Sequence, residues 1–277
     1  MNKYYDVVCF GFGAVTRYLI KFFPNFYFLI ISNSCTESFP NAQIVNYSKF
    51  FKNIDSYVYS NVIFSTRLDV LNMESQELIF GSEELWGNLR QSKILLLSSV
   101  SIYGSGKHIH TEADVPNPLN IYATSKIVLE QLFTREVPPE NLLILRIANL
   151  YGVPGVSGFF DQLRESVTNG QTLSLPNFDC FRDFVNIFDL FQFIDFWINS
   201  RPIIEYPILN FATGSSHSLK EVVQWTINLS SATFAISYQK ESPVIPISRI
   251  CIDRLRKSWS HTMTELKSDG LSDILFA

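Results

Sequence analysis

Charge is scarce in this chain: Asp, Glu, Lys and Arg make up 17% of its 277 residues, and the 22 basic residues form no block. At a net charge of −4 there is no electrostatic footprint for a phosphate backbone, so no nucleic-acid partner is expected. Four cysteines, Cys9, Cys35, Cys180 and Cys251, lie far apart without C-x-x-C spacing, which speaks against a disulfide framework or a cysteine-ligated metal. His108, His110, His217 and His261 also lack ligand spacing, so no metal is expected and they read as loop or surface residues. Asp69, Glu83 and Glu84 read as solvated charges. No apolar run reaches the ~20 residues of a spanning helix. The apolar stretch 18–32 is interrupted by Lys21, Pro24 and Asn25 and reads as helix, turn and strand, without membrane insertion. No basic segment followed by an apolar stretch and a small-residue cleavage site opens the chain, so a cytoplasmic location is expected.

What the chain has in quantity is apolar residues, 47% of the total with 24 Phe, too many for disorder and enough for a large buried core. Residues 6–10 form a short apolar run that meets Gly11-Phe12-Gly13, and residues 14–23 then carry apolar side chains at helical spacing. Further apolar runs stand at 26–31, 61–64, 94–97 and 142–147. Near-continuous Val/Ile/Leu runs separated by helix-length segments are what a parallel sheet covered on both faces requires. The expected fold is α/β, a Rossmann-type doubly wound parallel sheet. After Tyr151-Gly152-Val153-Pro154-Gly155 the pattern loosens into amphipathic stretches at 159–167 and 219–229 and strand-like pieces at 173–175 and 233–238. This reads as a smaller C-terminal α/β lobe.

A dinucleotide fold needs glycine where its first strand turns into its first helix, because the backbone must approach a pyrophosphate whose charge the helix N-terminus meets. Gly11 and Gly13 stand at that place, and Thr16 replaces the third glycine of the fingerprint. The second strand ends Ile31-Ser32-Asn33-Ser34, with no acid to hold the ribose hydroxyls. Without a carboxylate there is no repulsion of a 2′-phosphate, so NADP(H) is allowed and slightly favoured over NAD(H).

The run Leu95-Leu96-Leu97-Ser98-Ser99-Val100-Ser101-Ile102-Tyr103-Gly104 ends an apolar strand in hydroxyls, where open α/β sheets place ligands. Soon after comes Pro118-Leu119-Asn120-Ile121-Tyr122-Ala123-Thr124-Ser125-Lys126, leading into the helical stretch 127–133. Tyr122 and Lys126 are four apart and share one helix face. A phenol is a poor acid or base at neutral pH, and a neighbouring ammonium favours its phenolate. With Ser99 donating to the same substrate oxygen and a nicotinamide beside it, the set suits hydride transfer at an alcohol carbon.

On these residues the chain resembles the extended short-chain dehydrogenase/reductase superfamily, in particular the NAD-dependent epimerase/dehydratase family of nucleotide-sugar enzymes. Three later segments are similar to family motifs: Leu145-Arg146-Ile147-Ala148-Asn149-Leu150-Tyr151-Gly152, Arg182-Asp183-Phe184-Val185-Asn186-Ile187-Phe188-Asp189, and Leu209-Asn210-Phe211-Ala212-Thr213-Gly214. The resemblance implies a dinucleotide-binding domain over 1–154 and 184–214 and a nucleotide-sugar lobe over 155–183 and 215–277. It implies Tyr122 as acid/base, Lys126 as the group that orients the cofactor ribose and acidifies the tyrosine, and Ser99 as hydrogen-bond donor. Ser99 lies four residues before Tyr103, the family's offset, and adjacent strand side chains face opposite ways, so Ser98 cannot share that role. Expected cofactor contacts are Gly11, Phe12, Gly13, Ala14, Ser32, Asn33, Ser65, Thr66, Ser98, Tyr122 and Lys126. Expected substrate contacts are Ser99, Ser101, Tyr103, Tyr122, Asn149 and Arg182, the planar guanidinium suiting a pyrophosphate. The alternative for Arg182 is an ion pair with Asp183 or Asp189. A homodimer through paired helices is a frequent state in the family.

The chain departs from the family in places. Val100 and Ser101 stand where dehydratases carry Asp-Glu, which argues against dehydration. Arg67 follows the fourth strand where small residues are usual, and it is either a phosphate contact or a surface charge. The basic segment expected around 239–247 is not recognisable, with Lys240 and Arg249 the nearest substitutes. The reading is therefore reduction of a 4-keto sugar nucleotide, with a 4-epimerase holding NAD tightly as the alternative and a redox-sensing cofactor-binding module as the non-enzyme alternative.

Overall fold

A computed structural model describes residues 3–68, 71–106, 109–176, 179–200, 205–239, 248–268 and 271. Asp69, His108, Lys240 and most of the 239–247 segment lie outside the described residues. The chain divides into two compact units. The first comprises Met1–Ser98, Ile121–Leu145 and Ile204–Ile208, and the second Ser99–Asn120, Arg146–Ile203 and Leu209–Ala277.

Seven strands form the large sheet, in the order Ile208–Phe211, Leu142–Ile147, Lys93–Ser99, Asn61–Phe64, Val7–Phe10, Phe28–Ile31 and Ala42–Val45. The pairs with described register are parallel, with Val8 opposite both Val62 and Leu29. The apolar runs become strands because both faces are covered: every residue of Val7–Phe10 and Phe28–Ile31 has no exposed surface. From Val7–Phe10 the sheet is built outward in both directions, so the carboxyl end of that strand is the topological switch point where such sheets open a cleft. Gly11 and Gly13 sit there. The helix Ala14–Phe22 follows, burying Thr16, Leu19 and Ile20, and stops before Pro24.

The helix carrying the tyrosine and lysine runs Ile121–Glu136, starting six residues before the apolar stretch that marks it in sequence. Its buried side includes Leu129, Leu132 and Phe133, and Phe133 meets Phe64 and Trp86 edge to face.

In the second unit, Phe181–Asn186 pairs in parallel with Asn149–Tyr151 and antiparallel with Ser216–Ser218, placing Asn149 opposite Phe184 and Arg182 opposite His217. A two-stranded sheet pairs Leu173–Pro176 with Ile236–Gln239. Phe160 and Leu163 of the helix Gly158–Asn169 and Val222 of the helix Leu219–Ser230 pack with Leu173, Leu175 and Phe184 into one core.

Candidate functional site

In the first unit, a cleft of about 290 Å³ opens at the switch point. It is lined by Gly11, Phe12, Gly13, Ser32, Asn33, Ser34, Tyr47, Ser65, Thr66, Arg67, Leu71 and Asn72. Gly11 is required by its surroundings: φ is +99°, and a β-carbon would lie 2.9 Å from the Thr66 backbone. Gly13 has nothing within 4 Å of that position, so its missing side chain leaves open space at the start of Ala14–Phe22. That helix has neither a side-chain cap nor an acid in its first turn, so its free N–H groups are available to an anion. Thr16, where a glycine was expected, donates its hydroxyl to the Gly11 carbonyl at 3.1 Å and meets the Ser65 hydroxyl at 3.0 Å, bracing the turn from inside. The Phe12 ring contacts the Arg17 guanidinium and the Phe39 ring.

At the far strand end, the Asn33 carboxamide accepts from the Tyr47 N–H at 3.2 Å and donates to Ser75 at 2.9 Å. The Ser32 and Ser34 hydroxyls lie 3.3 Å apart. Among the described residues no carboxylate lines the cleft. Ala14, an expected contact, opens the helix and is not among the lining residues.

Tyr122 sits half-buried in the first turn of Ile121–Glu136. Lys126 is 4% exposed, and its ammonium donates to the Leu97 carbonyl at 2.7 Å and the Thr66 carbonyl at 3.2 Å, the ends of two adjacent strand regions. A cation this deeply enclosed is tolerable because its donors are met. Its Nζ lies 6.0 Å from the centroid of the Tyr122 ring, and the Arg67 guanidinium lies 4.8 Å from the same centroid.

The adjacent serines separate as strand alternation demands. Ser98 is buried and donates to the Glu130 carboxylate at 2.5 Å, so its hydroxyl is engaged inside the first unit. Ser99 is partly exposed and accepts from the Ser101 N–H at 3.2 Å. The Ser101 hydroxyl is buried and has no hydrogen-bond partner among the described residues.

Tyr103, expected at the substrate, is 2% exposed and lies within the second unit. Its hydroxyl donates to the Asn210 side-chain oxygen Oδ1 at 2.6 Å and accepts from Arg146 at 3.0 Å. Burial pushes this phenol up to about 12, with Arg146 pulling the other way. It braces the turn after the strand. His110 stacks on it at 5.0 Å and bonds Asp114 at 2.9 Å. At 4% exposure His110 is a core residue, not the loop or surface residue its sequence context indicated.

A second cavity, of about 440 Å³, belongs wholly to the second unit and brings Asn149 and Arg182 together with Ser157, Phe159, Gln162 and Gln239. Asn149 donates its amide to the Asp183 carbonyl at 3.1 Å. Arg182 donates to its neighbouring Phe181 carbonyl at 2.8 Å. Among the described residues no carboxylate pairs with it: Asp183 accepts from Thr213 and Gly214, and Asp189 from Thr264 and His261. Burial disfavours the charge of this guanidinium, partly offset by the Cys180 thiol beside it. It is a desolvated cation facing a cavity.

A model of the NAD dependent epimerase/dehydratase family matches residues 34–210, more than half of the chain. The chain belongs to this family. Its similarity to individual members is partial. It is 29% identical over 154 residues to the ADP-L-glycero-D-manno-heptose-6-epimerase of Thiobacillus denitrificans, covering 50% of this chain and 45% of that one. It is 25% identical over 146 residues to the GDP-6-deoxy-D-talose 4-dehydrogenase of Aggregatibacter actinomycetemcomitans, covering 52% and 49%. These matches thus span about half the length of each curated relative. The structure of MoeE5 in complex with UDP-glucuronic acid and NAD shares the fold over 98% of this chain and 97% of that one, with TM-score 0.80 and 18% identity.

Several lining residues of this family member carry no sequence signal. Tyr47, Leu71 and Asn72 reach the first cleft from segments outside every motif, and Phe159 and Gln162 of one helix, with Ser174 and Gln239 of two strands, reach the second. Asn72 is visible in sequence only as the cap of Met73–Gly81, where it accepts from Ser75 N–H. Among the described residues no group of three or more His, Cys, Asp or Glu is placed to hold a metal ion, and no helix is long and apolar enough to cross a membrane.

Proposed function

We propose that the protein reduces a 4-keto sugar carried on a nucleoside diphosphate, using NADPH or NADH, with Tyr122 as the acid. The observation that carries this reading is the placement of Lys126, pinned to the Leu97 and Thr66 carbonyls one helical turn from Tyr122. That arrangement fixes a positive charge beside a half-buried phenol, whose ring lies under Arg67 of the glycine-built cleft.

The cleft residues fit a dinucleotide. Gly11 and Gly13 leave the backbone bare where a pyrophosphate would approach, and the open helix N-terminus supplies N–H donors. Ser32, Asn33 and Ser34 would hold the adenosine ribose, and Ser65 and Thr66 the middle of the molecule. When bound, the nicotinamide supplies the hydride. Tyr122 gives its proton to the carbonyl oxygen as the alcohol forms and regains one from solvent. The charge of Lys126 favours the phenolate left behind, and Ser99 donates a hydrogen bond to the reacting oxygen. Asn149 and Arg182, which line the second cavity together, would bind the diphosphate, since a guanidinium removed from water and facing a cavity favours a bidentate anion.

Among the described residues of the lining no carboxylate stands against a 2′-phosphate, which supports NADPH, and an exchangeable reduced cofactor suits reduction. Epimerisation is the second reading, favoured by the partial similarity to a heptose epimerase. It uses the same three side chains, with Tyr122 first as base and then as acid. Cofactor fluorescence with 4-keto sugar nucleotides separates these: net loss of NADPH signals reduction, sugar interconversion without it signals epimerisation, and binding without either signals a sensor. Tyr122→Phe is expected to lower kcat by at least about 10²-fold, the scale of a general acid, while dinucleotide affinity stays within twofold to threefold. Turnover that survives this change would overturn the mechanism.

A further inference from the structure

Arg67 belongs to no motif, yet its position is tightly specified. The segment that launches it is pinned on three sides. Ser65 N–H donates to the Phe10 carbonyl at 2.9 Å, the Thr66 backbone abuts Gly11, and the Thr66 carbonyl accepts from Lys126. From there the exposed side chain lays its guanidinium over the face of the Tyr122 ring, 4.8 Å from the centroid, while also lining the cleft.

We propose that Arg67 is a positioning residue for Tyr122, holding the ring by a cation–π contact and favouring its phenolate form alongside Lys126. Among the described residues two cations face the ring: Arg67 from the loop after Asn61–Phe64, and Lys126 from the tyrosine's own helix. Glu130 lies about 12 Å further along that helix, at 1.5 Å rise per residue, and is bound by Ser98. The two cations differ in what else they do. Lys126 is enclosed and committed to backbone carbonyls, so its place is fixed. Arg67 is an exposed, planar and permanently charged group over the ring face. A positive charge at this range stabilises the anionic ring more than the neutral one.

The inference rests on Tyr122 being the acid/base, and its test is chosen to fail separately from that reading. Tyrosine carbon-13 labelling at Cζ follows each phenol by NMR in the cofactor-free protein, and Tyr122→Phe identifies the resonance. Burial pushes Tyr47, Tyr103 and Tyr151 up to about 12, which keeps their titrations apart. In Arg67→Met the Tyr122 midpoint is expected to rise by about half to one pH unit, and the limb of the pH–rate profile that reports it should rise by the same amount. An exposed side chain gives little risk of unfolding. An unchanged midpoint overturns the proposal, and so does a variant that loses dinucleotide affinity while its phenol titrates as before, which would make Arg67 a cofactor contact. If the midpoint moves but no sugar nucleotide is turned over, the Arg67 assignment stands and the reductase reading falls.

Discussion

Asp183 illustrates how one side chain can hold two segments together at an electrostatic cost. It is fully enclosed and accepts three hydrogen bonds, from the Thr213 N–H and hydroxyl and from the Gly214 N–H, tying Phe181–Asn186 to the loop after Ile208–Phe211. Burial outweighs these donors and raises its carboxyl from 3.8 to about 6. Because the folded value lies above the unfolded one, the native state binds the proton more tightly. The stabilisation from the neutral acid is therefore complete below about pH 4 and lost as pH rises through about 6. Two pH units correspond to about 3 kcal/mol. Denaturant titrations of wild type and Asp183→Asn at pH 4 and pH 7 should show the variant gaining about 2–3 kcal/mol relative to wild type over that interval. A difference independent of pH would mean the three donors keep the carboxylate ionised throughout.

At the scale of elements, three glycines make different demands that substitution can separate. Gly104 has φ +69°, and a β-carbon there would stand 1.9 Å from the Asn117 carbonyl oxygen. Gly104→Ala is expected to destabilise by about 3 kcal/mol or more, since neither the backbone angle nor the space permits it. Gly11→Ala pushes on the Thr66 backbone and so on the carbonyl that anchors Lys126. Gly13 is different: φ is −122° and no atom lies within 4 Å. Gly13→Ala should leave the cofactor-free melting point within about 3 °C, because its conformation suits any residue, yet abolish the rise that NADPH produces. Scanning fluorimetry reads both. The same elements show what sequence can carry. The runs at Val7–Phe10, Phe28–Ile31 and Leu142–Ile147 were legible because a strand covered on both faces must be apolar throughout. Ala42–Val45 and Tyr57–Tyr59 were not, since each keeps partly exposed positions and mixed composition. That Tyr122 and Lys126 share a helix was legible from their spacing. Strand alternation separated Ser98 from Ser99, but it did not show that Ser98, read as a cofactor contact, bonds Glu130, a partner 32 residues away. Tyr103 shows the limit, since a position in a motif does not say whether a hydroxyl meets a ligand or Asn210.

For the molecule as a whole, the two cavities make separable claims because each is lined from one unit alone. A dinucleotide fitting the glycine cleft should slow amide exchange around 11–16, 32–34 and 65–67, where backbone donors and lining residues converge. UDP, used as a probe for the diphosphate end of a sugar nucleotide, should slow exchange around 149–150, 157–162 and 182–184. At a ligand concentration near 100 times Kd the stabilisation is about 2.7 kcal/mol, so amides that exchange through openings suppressed by binding should slow by about 100-fold. Arg182→Gln should remove the UDP effect and leave the NADPH effect in place, because only the second cavity contains that guanidinium. UDP protection that persists in Arg182→Gln would place the diphosphate elsewhere, and NADPH protection confined to the second unit would move the cofactor out of the glycine cleft.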